Sequence, residues 1–213
     1  MKKTDNLLML FAKAPIPGFS KTRLIPALGK VGAADLQRQL ILNTLGAITN
    51  PGEWDIQLWC APEITDPFFQ YCQSQFPITL KRQHDGDLGH KMASAFQLEL
   101  DSYSQVVIIG TDCPAIEVAT IRQAFAALEK GLPVVVCPAE DGGYVLLGMN
   151  QFSPNVFSDI AWGSRHVLHD TRMRLADLQW QWQELPTLWD VDNPEDLQRY
   201  YQCIASKTFG EVV

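Results

Sequence analysis

Residues 106–116, VVIIGTDCPAI, constrain the fold more than any other stretch of the chain. Residues 106–109 are an unbroken β-branched run, which fits a strand covered on both faces, as in a parallel sheet. Gly110-Thr111-Asp112 followed by Cys113-Pro114 supplies turn chemistry where that strand has to stop. Open α/β sheets bind ligands in the crevice outside the carboxyl ends of their strands, so Asp112 is expected to present a carboxylate there. A cap for a helix beginning near Glu117 suits the same residue, and the pattern leaves both roles open.

The rest of the chain reads as strand alternating with helix. Apolar runs predict strands at 7–13, 54–60, 77–81, 105–110, 133–138 and 143–148, with Trp and Gln alternating over 179–184. Helical spacing and punctuation predict helices at 33–48, 67–75, 91–100, 117–130, 164–178 and 194–204. Residues 14–28, with three prolines, read as a long loop, and Asn50-Pro51-Gly52 stops the first helix. The alternation predicts a three-layer α/β architecture in one domain spanning 1–213.

Composition removes several function classes. A net charge of −7 argues against a protein that holds nucleic acid by its phosphates. Lys2 and Lys3 precede an apolar run, but Lys13 interrupts it and no signal-cleavage pattern follows. No stretch reaches the roughly 20 apolar residues of a membrane span. The five cysteines are scattered without a C-x-x-C pair, which predicts reduced thiols in a cytoplasmic protein.

Against that acidic background the loop after the first strand is locally basic. Lys13, Lys21 and Arg23 lie close in sequence around Gly18, and such cations donate charge-assisted hydrogen bonds to phosphate oxygens. A solvated basic turn is the plainer alternative; neither a Walker A sequence nor G-x-G-x-x-G occurs. In QHDGDLGHKM, residues 83–92, Asp87 and Gly89 open a helix whose N–H groups can receive an anion or the polar edge of a base. His84 and His90 lack metal-ligand spacing. Glu140-Asp141 precedes Gly142-Gly143, a pair that permits close approach of a ligand or of neighbouring chain; Asp141, ahead of Glu140, is the candidate for positioning or deprotonating an acceptor. Trp162 could pack on a substrate ring or in the core, and Ser164 reads as a helix cap.

Asp190 and Asp192 are two apart and share one side of an extended segment. With Asp112 they offer the hard oxygens that suit Mg²⁺ or Mn²⁺ sharing coordination with phosphates. The alternative makes Asp192 or Asn193 the cap of the helix that Pro194 opens.

Six motifs in order, FAKAPIPGFSKTRL, DGDLGHKM, IIGTDCPAI, DGGYVLLGM, WGS and DVDNPEDL, span Phe11 to Leu197. Together they resemble the nucleotide-diphospho-sugar transferase superfamily of GT-A type, and within it a small bacterial glycosyltransferase-like family. KTRL and DVDNPEDL are more distantly similar to molybdenum-cofactor nucleotidyltransferases and 2-phospholactate guanylyltransferases. The resemblance implies a Rossmann-like GT-A fold with a mostly parallel central sheet. It further implies that Lys21 and Arg23 hold nucleotide phosphates, and that Asp112 binds metal together with Asp190 or Asp192. Lys13, Asp87, Gly89, Gly142, Gly143 and Trp162 are then candidate substrate contacts. The expected activity is metal-dependent transfer from a nucleotide sugar to a small-molecule acceptor. The alternatives are a nucleotidyltransferase that uses an NTP and releases pyrophosphate, and a non-catalytic nucleotide-binding module. The Gly-rich L-x-G-G-x-x-x-R loop of sugar nucleotidyltransferases is lacking.

Overall fold

The first strand, β1 (Asn6–Lys13), shows how the sequence builds three layers. Its side chains alternate, so Leu8, Leu10 and Ala12 enter one core while Leu7 and Met9 enter another on the opposite face. In a computed structural model, which describes residues 5–49 and 52–210, β1 lies inside a seven-stranded sheet. The other strands are β2 (Asp55–Ala61), β3 (Thr79–Arg82), β4 (Gln105–Gly110), β5 (Val134–Pro138), β6 (Tyr144–Met149) and β7 (Trp182–Glu184). Their order is β3-β2-β1-β4-β6-β5-β7. All neighbouring pairs are parallel except those made by β6, which runs antiparallel to both β4 and β5.

Helices α1 (Ile25–Ile48), α2 (Pro67–Gln75) and α4 (Val118–Glu129) cover one face of the sheet. Helices α3 (Leu88–Glu99) and α5 (Val167–Asp177) cover the other. Phe69 and Phe96 anchor the two faces, and burying such a ring is worth about 1.5–3 kcal/mol. Gly148 of β6 lets the first of these layers close up, since a Cβ there would lie 2.6 Å from Val135 and 3.2 Å from Leu128. Helix α6 (Pro194–Gly210) packs its Leu197 and Tyr200 with Leu36 and Leu40 of α1 and with Trp189 and Val191. The mostly parallel α/β/α sandwich expected from the sequence is therefore the observed fold. Among the described residues no helix is long and apolar enough to cross a membrane.

Three boundaries differ from expectation for local reasons. The loop 14–28 is shorter than its prolines suggest. Thr22–Leu24 is a 3-10 turn, and α1 already begins at Ile25, with Pro26 in its first turn, where a missing N–H costs nothing. Gly29, at φ +70°, then breaks the helical path. Helix α3 starts at Leu88 rather than 91, because the Asp87 carboxylate accepts the His90 N–H and caps it. Helix α5 starts at Val167; the Ser164 hydroxyl accepts the His166 N–H and shapes the preceding turn instead of capping the helix. Residues 1–4 and the Asn50-Pro51 part of the expected stop lie outside the described residues.

Candidate active site

From β1 the chain passes to β2 and β3 on one side, then returns to place β4 on the other. The carboxyl ends of β1 and β4 thus diverge at a switch point, where this class of sheet opens a crevice. A cavity of about 450 Å³ occupies it, lined by Phe11 to Lys13 from β1 and by Gly110, Thr111 and Asp112 from β4. Lys21, Arg23, Lys91 and Asp192 complete its charged wall. A second cavity of about 470 Å³ lies over the ends of β2 and β3, against Ala61, Pro62, Arg82 and His84. Lys13, Phe19, Gln83 and Lys91 line both, so the two are adjoining lobes.

The loop that carries the cations is stapled by Ser20. Its hydroxyl donates to the Ala14 carbonyl at 2.7 Å and accepts the Ile16 N–H at 3.0 Å, so the loop folds back on itself. The next residue, Lys21, adopts left-handed backbone (φ 48°, ψ 46°), a region rarely occupied outside glycine. This turn sends the Lys21 side chain inward. Its ammonium reaches Asp112 Oδ2 at 2.9 Å and donates to the Val191 carbonyl at 2.6 Å. Arg23 instead remains largely exposed and pairs with Asp192.

Asp112 does not cap α4, whose N-terminal residue Glu117 has no side-chain cap. One of its oxygens takes Lys21; the other, Oδ1, is buried without a hydrogen-bond partner among the described residues. A backbone bond from Val191 N–H to the Asp112 carbonyl, 2.9 Å, holds the segment of Asp190 and Asp192 beside β4. The second capping question also resolves. Asn193 Oδ1 accepts the Asp196 N–H while Asp196 accepts from Asn193, a reciprocal box that leaves the Asp192 carboxylate free of capping.

Burial pushes Asp190 up to about 6, and the charge of Asp141 adds to it, with smaller contributions from Asp192 and Asp112. Asp190 therefore feels the three other carboxylates across the loops that end β4, β5 and the 188–192 segment. The raised value stabilises the metal-free fold only in acid, and that contribution is lost as pH rises through about 6. Asp190→Asn should therefore raise the melting temperature at pH 7.5 by ~2–4 °C after allowance for solvent screening, and leave it nearly unchanged at about pH 3, below the carboxyl's unfolded value. Thermal melts at the two pH values check this; equal effects at both would assign Asp190 a purely steric role.

The Glu140-Asp141 corner is built by other segments. Arg199 of α6 pairs with Glu140 through both guanidinium nitrogens, at 2.8 and 3.3 Å, and stacks over Trp189. Glu140 is thus engaged structurally, while Asp141 accepts the Gly143 N–H in a tight turn. Gly142, at φ +93°, lies so close to the Arg165 carbonyl that a Cβ would sit 2.2 Å away. The approach read from the two glycines is made there by neighbouring chain. Trp162 packs on Gly89, where a Cβ would fall 2.2 Å from the indole nitrogen.

Of the residues singled out by sequence, Lys13, Lys21, Arg23, Asp112 and Asp192 line the first cavity. Asp190 and Asp141 lie near enough to couple electrostatically. Asp87, Gly89, Gly142, Gly143 and Trp162 shape the surrounding turns and do not line either lobe. Sequence reasoning missed the buried amides Gln37 and Gln83, the buried hydroxyl of Thr111, and the exposed Phe19 and Leu88 at the cavity wall. Gln83 donates to the carbonyls of Ala12 and Trp59, which fixes its amide orientation between the lobes.

A bacterial family described as "Uncharacterized protein conserved in bacteria (DUF2064)" matches residues 44–164, more than half of the chain. The chain belongs to the DUF2064 family. Among curated proteins none matches the sequence. The crystal structure of a protein from Desulfovibrio desulfuricans G20, provisionally named a nucleotide-diphospho-sugar transferase, is 29% identical, with a TM-score of 0.85 over 94% of this chain and 87% of that one. A CMP:2-keto-3-deoxy-manno-octonic acid synthetase complexed with CTP is 12% identical, with a TM-score of 0.60 over 95% and 99%. Glucosyl-3-phosphoglycerate synthase of Mycobacterium tuberculosis, complexed with Mn²⁺, UDP and glucosyl-3-phosphoglycerate, is 11% identical, with a TM-score of 0.56 over 92% and 75%. The last two share the fold. This DUF2064 chain thus has the fold of the nucleotide-diphospho-sugar transferases, with acids and cations gathered at the sheet's switch point.

Proposed function

We propose that the protein is a metal-dependent transferase acting on a nucleotide-activated donor, a nucleotide sugar in the first instance. One observation carries this reading. At the switch-point cavity, Asp112, one of whose carboxylate oxygens is buried and unpartnered among the described residues, shares the wall with Asp192, Lys13, Lys91 and Arg23. An unpaired buried carboxylate oxygen is costly unless a cation or donor meets it. Among the described residues no three His, Cys, Asp or Glu side chains converge tightly enough to hold an ion by themselves. That suits Mg²⁺ or Mn²⁺, which commonly complete their coordination with substrate phosphates and water. Asp112 and Asp192 are the assigned ligands, with Asp190 as the alternative to Asp192. The bound ion would neutralise charge on the leaving diphosphate.

Lys13, Lys91 and Arg23, which line the same cavity, would then grip the phosphates. The adjoining lobe, with Phe19 beside it and the oriented Gln83 amide at the junction, gives room for the nucleoside. Asp141 is assigned to orient or deprotonate the acceptor. The relatives support the coarser reading of a nucleotide-using transferase: a structure 29% identical carries the nucleotide-diphospho-sugar transferase name, and a more distant neighbour holds UDP with Mn²⁺. The number of cations at the cavity also favours a second reading, transfer of a nucleotidyl group from an NTP with release of pyrophosphate.

Calorimetry with NTPs and nucleotide sugars, with and without Mn²⁺, tests the reading, followed by phosphorus NMR of the products. Release of nucleoside diphosphate supports glycosyl transfer, and pyrophosphate supports nucleotidyl transfer. Metal-dependent binding without turnover across a panel of acceptors would leave a binding module. Arg23→Ala should weaken the nucleotide about ten- to a hundredfold and spare the nucleoside, because a charge-assisted hydrogen bond is worth roughly 1.5–3 kcal/mol. Equal losses for both ligands would remove Arg23 from the phosphate site.

A further inference from the structure

The sequence assigns Lys21 and Arg23 to one task, yet the structure treats them in opposite ways. The Arg23 side chain is 71% exposed and that of Lys21 only 3%. The left-handed backbone at Lys21 turns its side chain off the loop and into the junction of two segments. There the ammonium spends two of its three N–H groups on Asp112 Oδ2 and the Val191 carbonyl. We propose that Lys21 is a built-in counter-cation that occupies one oxygen of Asp112, so that the site binds a divalent ion well only together with a ligand's phosphates.

A fixed positive charge 2.9 Å from the Asp112 carboxylate repels any second cation approaching that carboxylate. The Asp112 side chain is 43% exposed while its Oδ1 is buried, so the oxygen that Lys21 occupies is the one nearer the open side. Phosphates arriving at Lys13, Lys91 and Arg23 bring negative charge that offsets this repulsion, and the ion then enters with them. Lys21 thereby acts as a positioning residue. It also ties the end of β4 to the 188–192 segment, and so holds Asp112 level with Asp190 and Asp192. A phosphate grip would have needed the exposure that Arg23 has and Lys21 lacks.

This inference rests on the metal reading above, and the experiment separates the two. The measurements are calorimetric titrations with Mn²⁺ alone and with pyrophosphate alone, on wild type, Lys21→Met, Lys21→Gln and Lys21→Arg. Near-ultraviolet circular dichroism checks folding, and Lys21→Gln keeps a donor for both oxygens where Lys21→Met destabilises the fold. Removing the charge should tighten bare Mn²⁺ about tenfold or more and change metal-free pyrophosphate binding less than about threefold. Lys21→Arg should behave as wild type. Adding Asp112→Asn to Lys21→Gln should abolish the gain; a gain that persists means the ion binds elsewhere and overturns the proposal. Unchanged Mn²⁺ affinity with a tenfold loss of pyrophosphate would make Lys21 a phosphate grip instead. If wild type binds Mn²⁺ only with nucleotide but the charge-free variants show no gain, this inference alone fails. If no variant binds Mn²⁺ under any condition, the metal reading fails with it.

Discussion

Asp112→Asn should lose metal-dependent nucleotide binding by about a hundredfold or more while remaining folded. The amide is isosteric, and its oxygen can still accept from Lys21, so the junction of β4 with the 188–192 segment keeps its geometry. What disappears is the negative charge that a divalent ion requires at the end of β4. A ligand group that supplies charge as well as a lone pair is worth more than a neutral hydrogen bond, and two powers of ten correspond to about 2.8 kcal/mol. Mn²⁺-nucleotide calorimetry beside a thermal melt checks this. Full-strength binding with an unchanged melt would move the metal site away from Asp112. Loss of binding together with a melting temperature lower by more than ~10 °C would assign the carboxylate to folding.

Gly142→Ala should be the most damaging small substitution near the site. Two penalties coincide there. The residue sits at φ +93°, where an L side chain is strained by about 1–3 kcal/mol. The new Cβ would also meet the Arg165 carbonyl oxygen at 2.2 Å, and that neighbour is backbone that cannot rotate aside. Overpacking of this kind costs a further 1–3 kcal/mol or so. For a chain of this size the sum should lower the melting temperature by roughly 5–15 °C. The displaced corner carries Asp141, so acceptor turnover should fall further than donor binding. A Gly142→Ala protein that melts within about 2 °C of wild type would show that the turn relaxes freely.

Much of this was readable from residues alone. The β-branched run 106–109 placed β4 and, with it, Asp112 at the ligand edge. The alternation of strand and helix gave the layers, because each element announces the face it must bury. The direction of β6 was legible only in hindsight. A doubly covered strand looks equally apolar in either direction. The five residues 139–143 that join β5 to β6 are too few for a crossover, and that was the usable clue.

The site was legible as residue types and not as partnerships. Lys21 and Asp112 are far apart in sequence, and no local pattern announces a left-handed lysine, so their pairing emerges only from the fold. Asp192 and Asn193 compete for one cap by propensity; the reciprocal bonding of Asn193 with Asp196 decides it. Gly142-Gly143 signalled crowding correctly, but glycine does not disclose whether ligand or chain does the crowding.

The reversed strand has a consequence for how such a site can diversify. Because β6 returns directly alongside β4, its beginning faces the same rim as the ends of its two neighbours. The hairpin tip thus stands at the rim that carries the crevice, whereas a parallel strand would have begun at the opposite rim. That tip is one short turn braced against Arg165 and Leu168. The cavity itself, by contrast, is lined by the loop leaving β1 and the start of α3. On the proposed reading, acceptor and donor contacts would fall to separate pieces of chain, and one could drift while the other is held.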